Sequence, residues 1–392
     1  MKIMKANTYL VDAGWRNFAF IELETDEGII GTGEITVGGL CDAVVSIAEG
    51  LVRRYVIGRD PFDIEAIWTS MYRDEHWRGG AAVTTAISGI EIACWDIMGK
   101  SLQVPVHRLL GGRCHNRVKV YANGWYDGVD DLEKLDEQVQ IVLDRGYHGL
   151  KIDPFKNITN EISRRDLREI AQIIGRIRHL IGDDRNLFIE GHGRFTVNSA
   201  IRVGQALEEF SPDFFEEPVN QENIEAMKKV SDALSIPIAT GERLFTRYGF
   251  SNLISKQAVE IIQPDCIHAG GILEMKKIAA MADAQYMSVA PHNSCGPVAM
   301  AATLQFDATC SNLYVQESFA DFDADWWYDL VDEPPRIRDG WLEIPNRPGI
   351  GVSLNKEELA RHPERKDAYF NMFSEGWETG FFRAKAKGSR ER

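Results

Sequence analysis

Apolar and polar residues alternate from Asn17 to Glu24 (Asn-Phe-Ala-Phe-Ile-Glu-Leu-Glu), break at Asp26-Glu-Gly and resume from Ile29 to Ile35, which predicts a β-hairpin. From Asp42 to Lys100 the spacing becomes helical. The stretch Ala86-Ile-Ser-Gly-Ile-Glu-Ile-Ala-Cys-Trp-Asp-Ile-Met is apolar enough to be a buried helix. Strands followed by helices make an α+β unit, assigned to residues 1–115, with Leu110-Gly-Gly-Arg at its end.

A different rhythm follows. Eight short apolar runs each stop at a polar residue and give way to an amphipathic stretch. The stops are Asn123, Lys151, Glu190, Glu216, Glu242, Asp265, His292 and Glu317, at steps of 23 to 39 residues. Helical periodicity occupies the intervals, as at Leu132–Arg145, Arg164–Ile181, Ser199–Phe210 and Gly271–Ala284. The fold class is therefore α/β, with eight βα units over 116–320 predicting a TIM-type (β/α)8 barrel. A doubly wound open sheet would carry a Gly-rich phosphate turn after its first strand, and no Gly-Gly pair here has those flanks. Residues 321–392 form an acidic, aromatic tail. Its pieces Trp341-Leu-Glu-Ile-Pro and Gly351-Val-Ser-Leu are expected to return to the N-terminal unit and complete it as a cap. The basic Arg383–Arg392 end is expected to fray.

Size agrees with two units, because a single core stops growing near roughly 250–300 residues. Lys+Arg 44 against Asp+Glu 59 leaves a net charge of −15, which repels phosphate backbones and anionic lipid, so neither nucleic acid nor a membrane is an expected partner. No signal-like start and no apolar run approaching a membrane span is read from the chain. The six cysteines stand singly, as reduced thiols in a cytoplasmic protein would.

In a barrel the strand ends converge on one face. Consecutive ends deliver Glu190, Glu216 and Glu242. Carboxylates so crowded raise one another's pKa unless a cation neutralises them, and an all-oxygen set selects a hard divalent ion, Mg²⁺ first. Of Glu216-Glu217 only one can share the neighbours' aim, since successive strand residues point opposite ways, and Glu216 is taken. Asp265 behind His292 makes a general base poised near neutrality. His192, two residues past Glu190, is either an acid or an outer partner of the carboxylates. Lys151, sharing a face with Asp153, either binds an anionic group or makes a rim salt bridge. Glu317 closes the ring. Together these parts suit removal of a proton next to a carboxylate whose developing charge is met by a metal.

These residues resemble the enolase superfamily, in particular its mandelate racemase-like subgroup and the gluconate and galactonate dehydratases. The motifs are the Ala86–Ile97 helix, Phe215-Glu-Glu-Pro, Gly241-Glu-Arg, Ile262-Gln-Pro-Asp, Ala290-Pro-His-Asn, Tyr121-Ala-Asn-Gly-Trp, Lys151-Ile-Asp-Pro-Phe and Ile189-Glu-Gly-His-Gly-Arg-Phe. The resemblance implies Glu190, Glu216 and Glu242 as Mg²⁺ ligands, His292–Asp265 as base and His192 as the acid for a departing 3-hydroxyl. It places Glu317 and Lys151 near the substrate carboxylate and Arg194 near the polyol chain. It also implies that loops around Trp15 and Trp77-Arg78-Gly79 close over the site.

Two positions depart from the subgroup. Glu190 stands where Asp is commoner, and Lys151-Ile-Asp153 replaces Lys-x-Lys. The second departure leaves the face opposite His292 without an obvious base and favours one-sided elimination. The function expected is Mg²⁺-dependent dehydration of an aldonic acid to a 2-keto-3-deoxy acid by a homo-oligomeric lyase. An epimerase or cycloisomerase using the same proton abstraction, and a non-catalytic sugar-acid binding protein, are the alternatives.

Overall fold

The computed structural model describes residues 1–366, except 127 and 130, together with residue 368. The Arg383–Arg392 stretch lies outside the described residues. Three antiparallel strands open the chain: β1 (Ile3–Asp12), β2 (Asn17–Thr25) and β3 (Ile30–Glu34). Helices α1 (Cys41–Leu51), α2 (Ile64–Arg73), α3 (Ala81–Ser101) and the short α4 (Val106–Leu109) complete this unit. Strand β3 lies directly on α3, and a Cβ at Gly33 would run into the Gly89 carbonyl, so glycine at both positions sets the approach. By length and composition α3 could cross a membrane, contrary to the sequence expectation. However, 78% of its most apolar window is buried, because the helix is the apolar centre of this unit.

Eight parallel strands follow, each paired with its sequence neighbour through β10: β4 (Arg117–Ala122), β5 (Gly149–Ile152), β6 (Asn186–Glu190), β7 (Phe214–Glu216), β8 (Ile238–Thr240), β9 (Ile261–Ile262), β10 (Ser288–Val289) and β11 (Gln316–Ser318). The sheet curls until β11 pairs with β4. A parallel bridge from Val289 to Leu313 joins β10 to the approach of β11. Tyr121, Phe188, Phe214, Ala239, Ile261, Ala290 and Val315 fill the inside.

Helices α5 (Leu132–Asp144), α6 (Arg164–Ile181), α7 (Val197–Leu207), α8 (Ile224–Ser231), α9 (Thr246–Ser255), α10 (Ile272–Asp283) and α11 (Pro297–Asp307) follow β4 to β10 in turn. The eighth unit departs from the expected pattern. After β11 the chain makes two 3-10 turns, Ala320–Phe322 and Trp327–Leu330, and no α-helix before α12 (Lys356–Arg361). Asp and Trp crowd this stretch without a helical apolar stripe, and Trp327 instead plugs a fully buried site.

The tail also corrects the expected pairing. Its strand β12 (Trp341–Glu343) runs antiparallel to β4, covering the Arg117–Lys119 end that extends beyond β5. Leu354 bridges Val331 within the tail. The N-terminal unit is met elsewhere, through the Pro105–Gly349 and Val11–Pro363 bridges.

The two units dock through buried polar groups. Glu34, wholly buried, accepts hydrogen bonds from the backbone N–H of Gly296 (2.7 Å) and Ala299 (2.8 Å). Burial pushes its carboxyl up to about 7, against the pull of those donors, of Thr36 and of the Arg16 charge, which is itself paired to Asp323. A raised folded-state pKa means a contribution that is full below about 4.5 and lost as pH rises through about 7. Glu34→Gln removes this dependence. Its stability relative to the wild type is expected to climb between pH 5 and pH 8, by at most about 3 kcal/mol, and its melting temperature with it. Thermal melts across that range check this, and a constant difference between the two proteins would contradict it.

Candidate active site

In register, Glu190 at the end of β6 sits beside Glu216 at the end of β7. Glu242 lies two residues past β8. One carboxylate oxygen from each of the three lies within 4.8 Å of the other two. Glu217, aimed the other way, binds the Thr240 hydroxyl (3.1 Å) and Arg243 and stays out of the trio. The alternation of strand residues thus delivers Glu216.

The ammonium of Lys151, 2% exposed, lies 2.6 Å from Glu216 Oε2, 2.8 Å from Glu317 Oε1 and 3.2 Å from Glu190 Oε2. Burial would lower its pKa, but the surrounding acids, Glu216 foremost, outweigh that and hold it well above the ordinary range. Lys151 is therefore a fixed cation inside the carboxylate group rather than a rim residue.

Four buried or nearly buried acids, Glu190, Glu216, Glu242 and Glu317, face this single ammonium. Burial and then the Glu190 charge drive Glu216 far above the usual carboxylate range. Glu242 is instead held low despite burial, by the charges of His292, Arg243 and His192. The crowding expected to raise all three thus raises Glu216 and not Glu242, which has cationic neighbours.

Two oxygens of the trio, Glu190 Oε2 and Glu216 Oε1, are buried and take no hydrogen bond. Glu190 Oε2 has only its 3.2 Å ion pair with Lys151 and Glu216 Oε1 has no partner, so hard oxygen ligands converging at this spacing fit a divalent cation of the Mg²⁺ type.

Around the trio stand two imidazole–carboxylate pairs. His292, three residues past β10, shares its Nδ1 hydrogen bond with Asp265 Oδ2 at 2.6 Å. Its Nε2 lies 3.2 Å from Glu242 Oε2 and 3.9 Å from Glu317 Oε2. Burial would lower the imidazole pKa, but Glu242, Glu317 and Asp265 together lift it to about 10. Asp265, ionised despite burial, also accepts the Ile267 N–H at 2.8 Å.

Across the ring, four strands away, His192 Nδ1 meets Asp153 Oδ2 at 2.6 Å, and the His192 N–H donates to Glu190 Oε1 at 2.6 Å. His192 holds a left-handed φ of 47°, a conformation that costs free energy and is fixed here by the Glu190 bond. The face opposite His292 therefore does carry a potential base, which corrects the reading based on the missing second lysine. The spacing Lys151-Ile-Asp153 held the signal: both side chains share one strand face, so Asp153 could have been recognised as a partner for a histidine on the next strand.

Arg194 is fully buried. Its guanidinium binds Asp153, the Lys156 carbonyl (2.7 Å) and the Gly191 carbonyl (3.0 Å), so it orients Asp153. Glu317, held down to about 2 although burial opposes this, binds Lys151, the Asn123 amide (2.8 Å) and the Asn293 N–H (2.9 Å). Of the expected covering loops, Trp77 is 87% exposed ahead of Gly79 and Gly80, and Trp15 lies 3.9 Å from the Arg16 guanidinium.

Residues 10–111 match the family described as mandelate racemase / muconate lactonizing enzyme, N-terminal domain, and residues 134–359 match the enolase C-terminal domain-like family. The chain is 36% identical over 353 residues to a D-gluconate dehydratase of Thermoproteus tenax, covering 90% of this chain and 71% of that one. It is 36% identical over 367 residues to a D-galactonate dehydratase of Variovorax paradoxus, covering 92% and 94% respectively. Among solved structures, a mandelate racemase/muconate lactonizing enzyme of Jannaschia superposes with a TM-score of 0.88 at 30% identity, over 94% of this chain and 99% of that one. The chain belongs to the mandelate racemase/muconate lactonizing enzyme family of the enolase superfamily.

Proposed function

We propose that this protein is a hydro-lyase that dehydrates an aldonic acid such as gluconate or galactonate to a 2-keto-3-deoxy acid. The observation that carries the reading is the placement of two oriented imidazoles, His292 with Asp265 and His192 with Asp153, on opposite sides of one carboxylate trio. The dehydratase relatives support it independently.

Glu190, Glu216 and Glu242 would hold Mg²⁺, which when bound supplies the positive charge that lowers the acidity barrier at C2. Lys151 and Glu317 fix the floor beside it. His292 Nε2 takes the C2 proton while Asp265 holds the opposite ring nitrogen in its protonated tautomer. The electron pair left on C2 spreads into the carboxylate as an enediolate. It then closes a C2–C3 double bond as the C3–O bond breaks. His192, held by Asp153, gives its proton to the departing hydroxyl, which leaves as water. The resulting enol takes a solvent proton at C3, gives up the proton of its C2 hydroxyl to solvent and becomes the ketone.

A panel of five- and six-carbon aldonates incubated with protein and Mg²⁺, and assayed for 2-keto acid, tests the reading. Run in deuterated water, the product should carry one deuterium at C3. Absence of turnover across the panel would refute the dehydratase assignment. The His192–Asp153 pair also favours a second reading, epimerisation at C2 by two bases. Deuterium entering C2 with the 3-hydroxyl retained would establish that one instead.

The same reading takes 1–115 as the capping unit and 116–320 as the catalytic unit, with 321–392 tying the two together. It takes the curled sheet as a closed barrel, supported by the β11–β4 pairing and the Val289–Leu313 bridge. A cytoplasmic homo-oligomer is part of the proposal. The six unpaired cysteines support the compartment, and gel filtration with light scattering tests the assembly.

A further inference from the structure

The segments that carry Asp265 and His292 are held from outside by the N-terminal unit. Helices α5, α6, α7 and α8 cap their own first turns with Asp131, Ser163, Thr196 and Asn223. Helices α10 and α11, which follow Asp265 and His292, begin at Gly271 and Gly296 with no side-chain cap of their own.

Glu91 on α3, 2% exposed, supplies the first missing cap by accepting the N–H groups of Ile272 and Leu273, both at 2.9 Å. Trp95 steadies that carboxylate at 2.7 Å. The same helix face binds the intervening residues: Ser88 accepts the Gly270 N–H at 3.0 Å, and Thr85 meets His268 Nδ1 at 2.8 Å. Trp68 on α2 donates to the Gly270 carbonyl at 2.9 Å.

Glu34 supplies the second cap through Gly296 and Ala299. Arg16 reaches the Ser294 carbonyl, two residues from His292. A Cβ at Gly271 or Gly296 would collide with the capping carboxylate itself.

We infer that Glu34 and Glu91 are positioning residues for the His292–Asp265 pair, setting its geometry through the first turns of α11 and α10. The inference rests on the reading of His292 as the base. A buried carboxyl whose two oxygens each take an N–H bond at a helix start is a directional restraint whatever its charge, since it satisfies two of the donors that a helix start leaves without partners. Removing it leaves two donors without acceptors within eight residues of Asp265 or His292. Displacements of about 1 Å at such a group cost on the order of a hundredfold in rate.

The test compares Glu34→Ala, Glu91→Ala, Glu34→Gln and Glu91→Gln with the wild type. Two readouts are used: kcat and KM on a sugar acid that is turned over, and the imidazole ¹⁵N and ¹H shifts of His292, assigned through their loss in His292→Asn. Folded Ala variants are expected to lose kcat by about 30-fold or more with KM within about threefold, and to show a changed His292 resonance. The Gln variants, which keep one of the two acceptor oxygens, should fall in between, with a several-fold loss of kcat and a smaller change of the His292 resonance. A folded Ala variant with wild-type kcat and an unchanged resonance would overturn the inference. Should the Ala variants not fold, the Gln variants decide it: a several-fold loss of kcat with a shifted resonance supports it, and wild-type values for both overturn it. If the wild type turns over no sugar acid, the dehydratase reading fails separately, and the resonances alone still judge the positioning role.

Discussion

His292→Asn is expected to leave a folded protein that binds its sugar acid yet forms 2-keto acid at least about a thousandfold more slowly, within the range by which a positioned base accelerates proton transfer. Asparagine can still donate to Asp265, so the local scaffold survives and only the basic Nε2 is lost. The decisive measurement is deuterium exchange at C2, followed by NMR alongside product formation. If His292 takes the C2 proton, exchange and dehydration disappear together. If exchange survives while dehydration is lost, His292 instead serves the departing hydroxyl and His192 is the base. Substrate binding by calorimetry should change only a few-fold, because Lys151 and the carboxylate trio are untouched. A variant with near wild-type turnover would remove His292 from the mechanism.

Much of this site was legible in the sequence because strand geometry is simple. Residues at strand ends in a parallel ring share a face, so equal spacing brought Glu190, Glu216 and Glu242 to one cluster, and parity separated Glu216 from Glu217. The helices α5 and α6 carried clean amphipathic stripes and formed where the periodicity placed them. Strand β1 escapes such a pattern because it runs half-exposed along the edge of its sheet and mixes Lys5, Asn7 and Thr8 with apolar residues.

Other features depended on contacts far apart in sequence. Nothing local marks Arg194 as the partner of Asp153, or Glu34 as the cap of a helix more than 260 residues away. The destination of Trp341–Glu343 followed from the length of β4 beyond β5, which the strand's own pattern does not encode. The second imidazole pair was hidden for a related reason. Asp153 stands out in the sequence as a neighbour of Lys151, whereas its partner His192 lies on a turn whose left-handed backbone the sequence does not announce.

Glu216→Gln carries the other large expected effect, the loss of divalent-cation uptake and of turnover together. Glu216 Oε1 is one of two trio oxygens without a hydrogen bond, so an amide there replaces a carboxylate that a bound cation would hold ionised with a neutral, weaker ligand. Mg²⁺ affinity by titration calorimetry should fall at least about a hundredfold, the upper end of what outer partners of a metal site already cost. In thermal melts, Mg²⁺ at 100 times its Kd should stabilise the wild type by about 2.7 kcal/mol and leave the variant unmoved.

Activity should fall with it for a reason visible in the electrostatics. His292 is held at about 10 by acids of which Glu242 is the foremost, and a protonated imidazole cannot accept the C2 proton at pH 7. A cation held by Glu242 would offset the charge that contributes most to keeping His292 protonated, so metal uptake and proton abstraction are expected to be lost together. A wild-type protein that takes up no divalent ion, or a Glu216→Gln variant that keeps both uptake and turnover, would break that coupling.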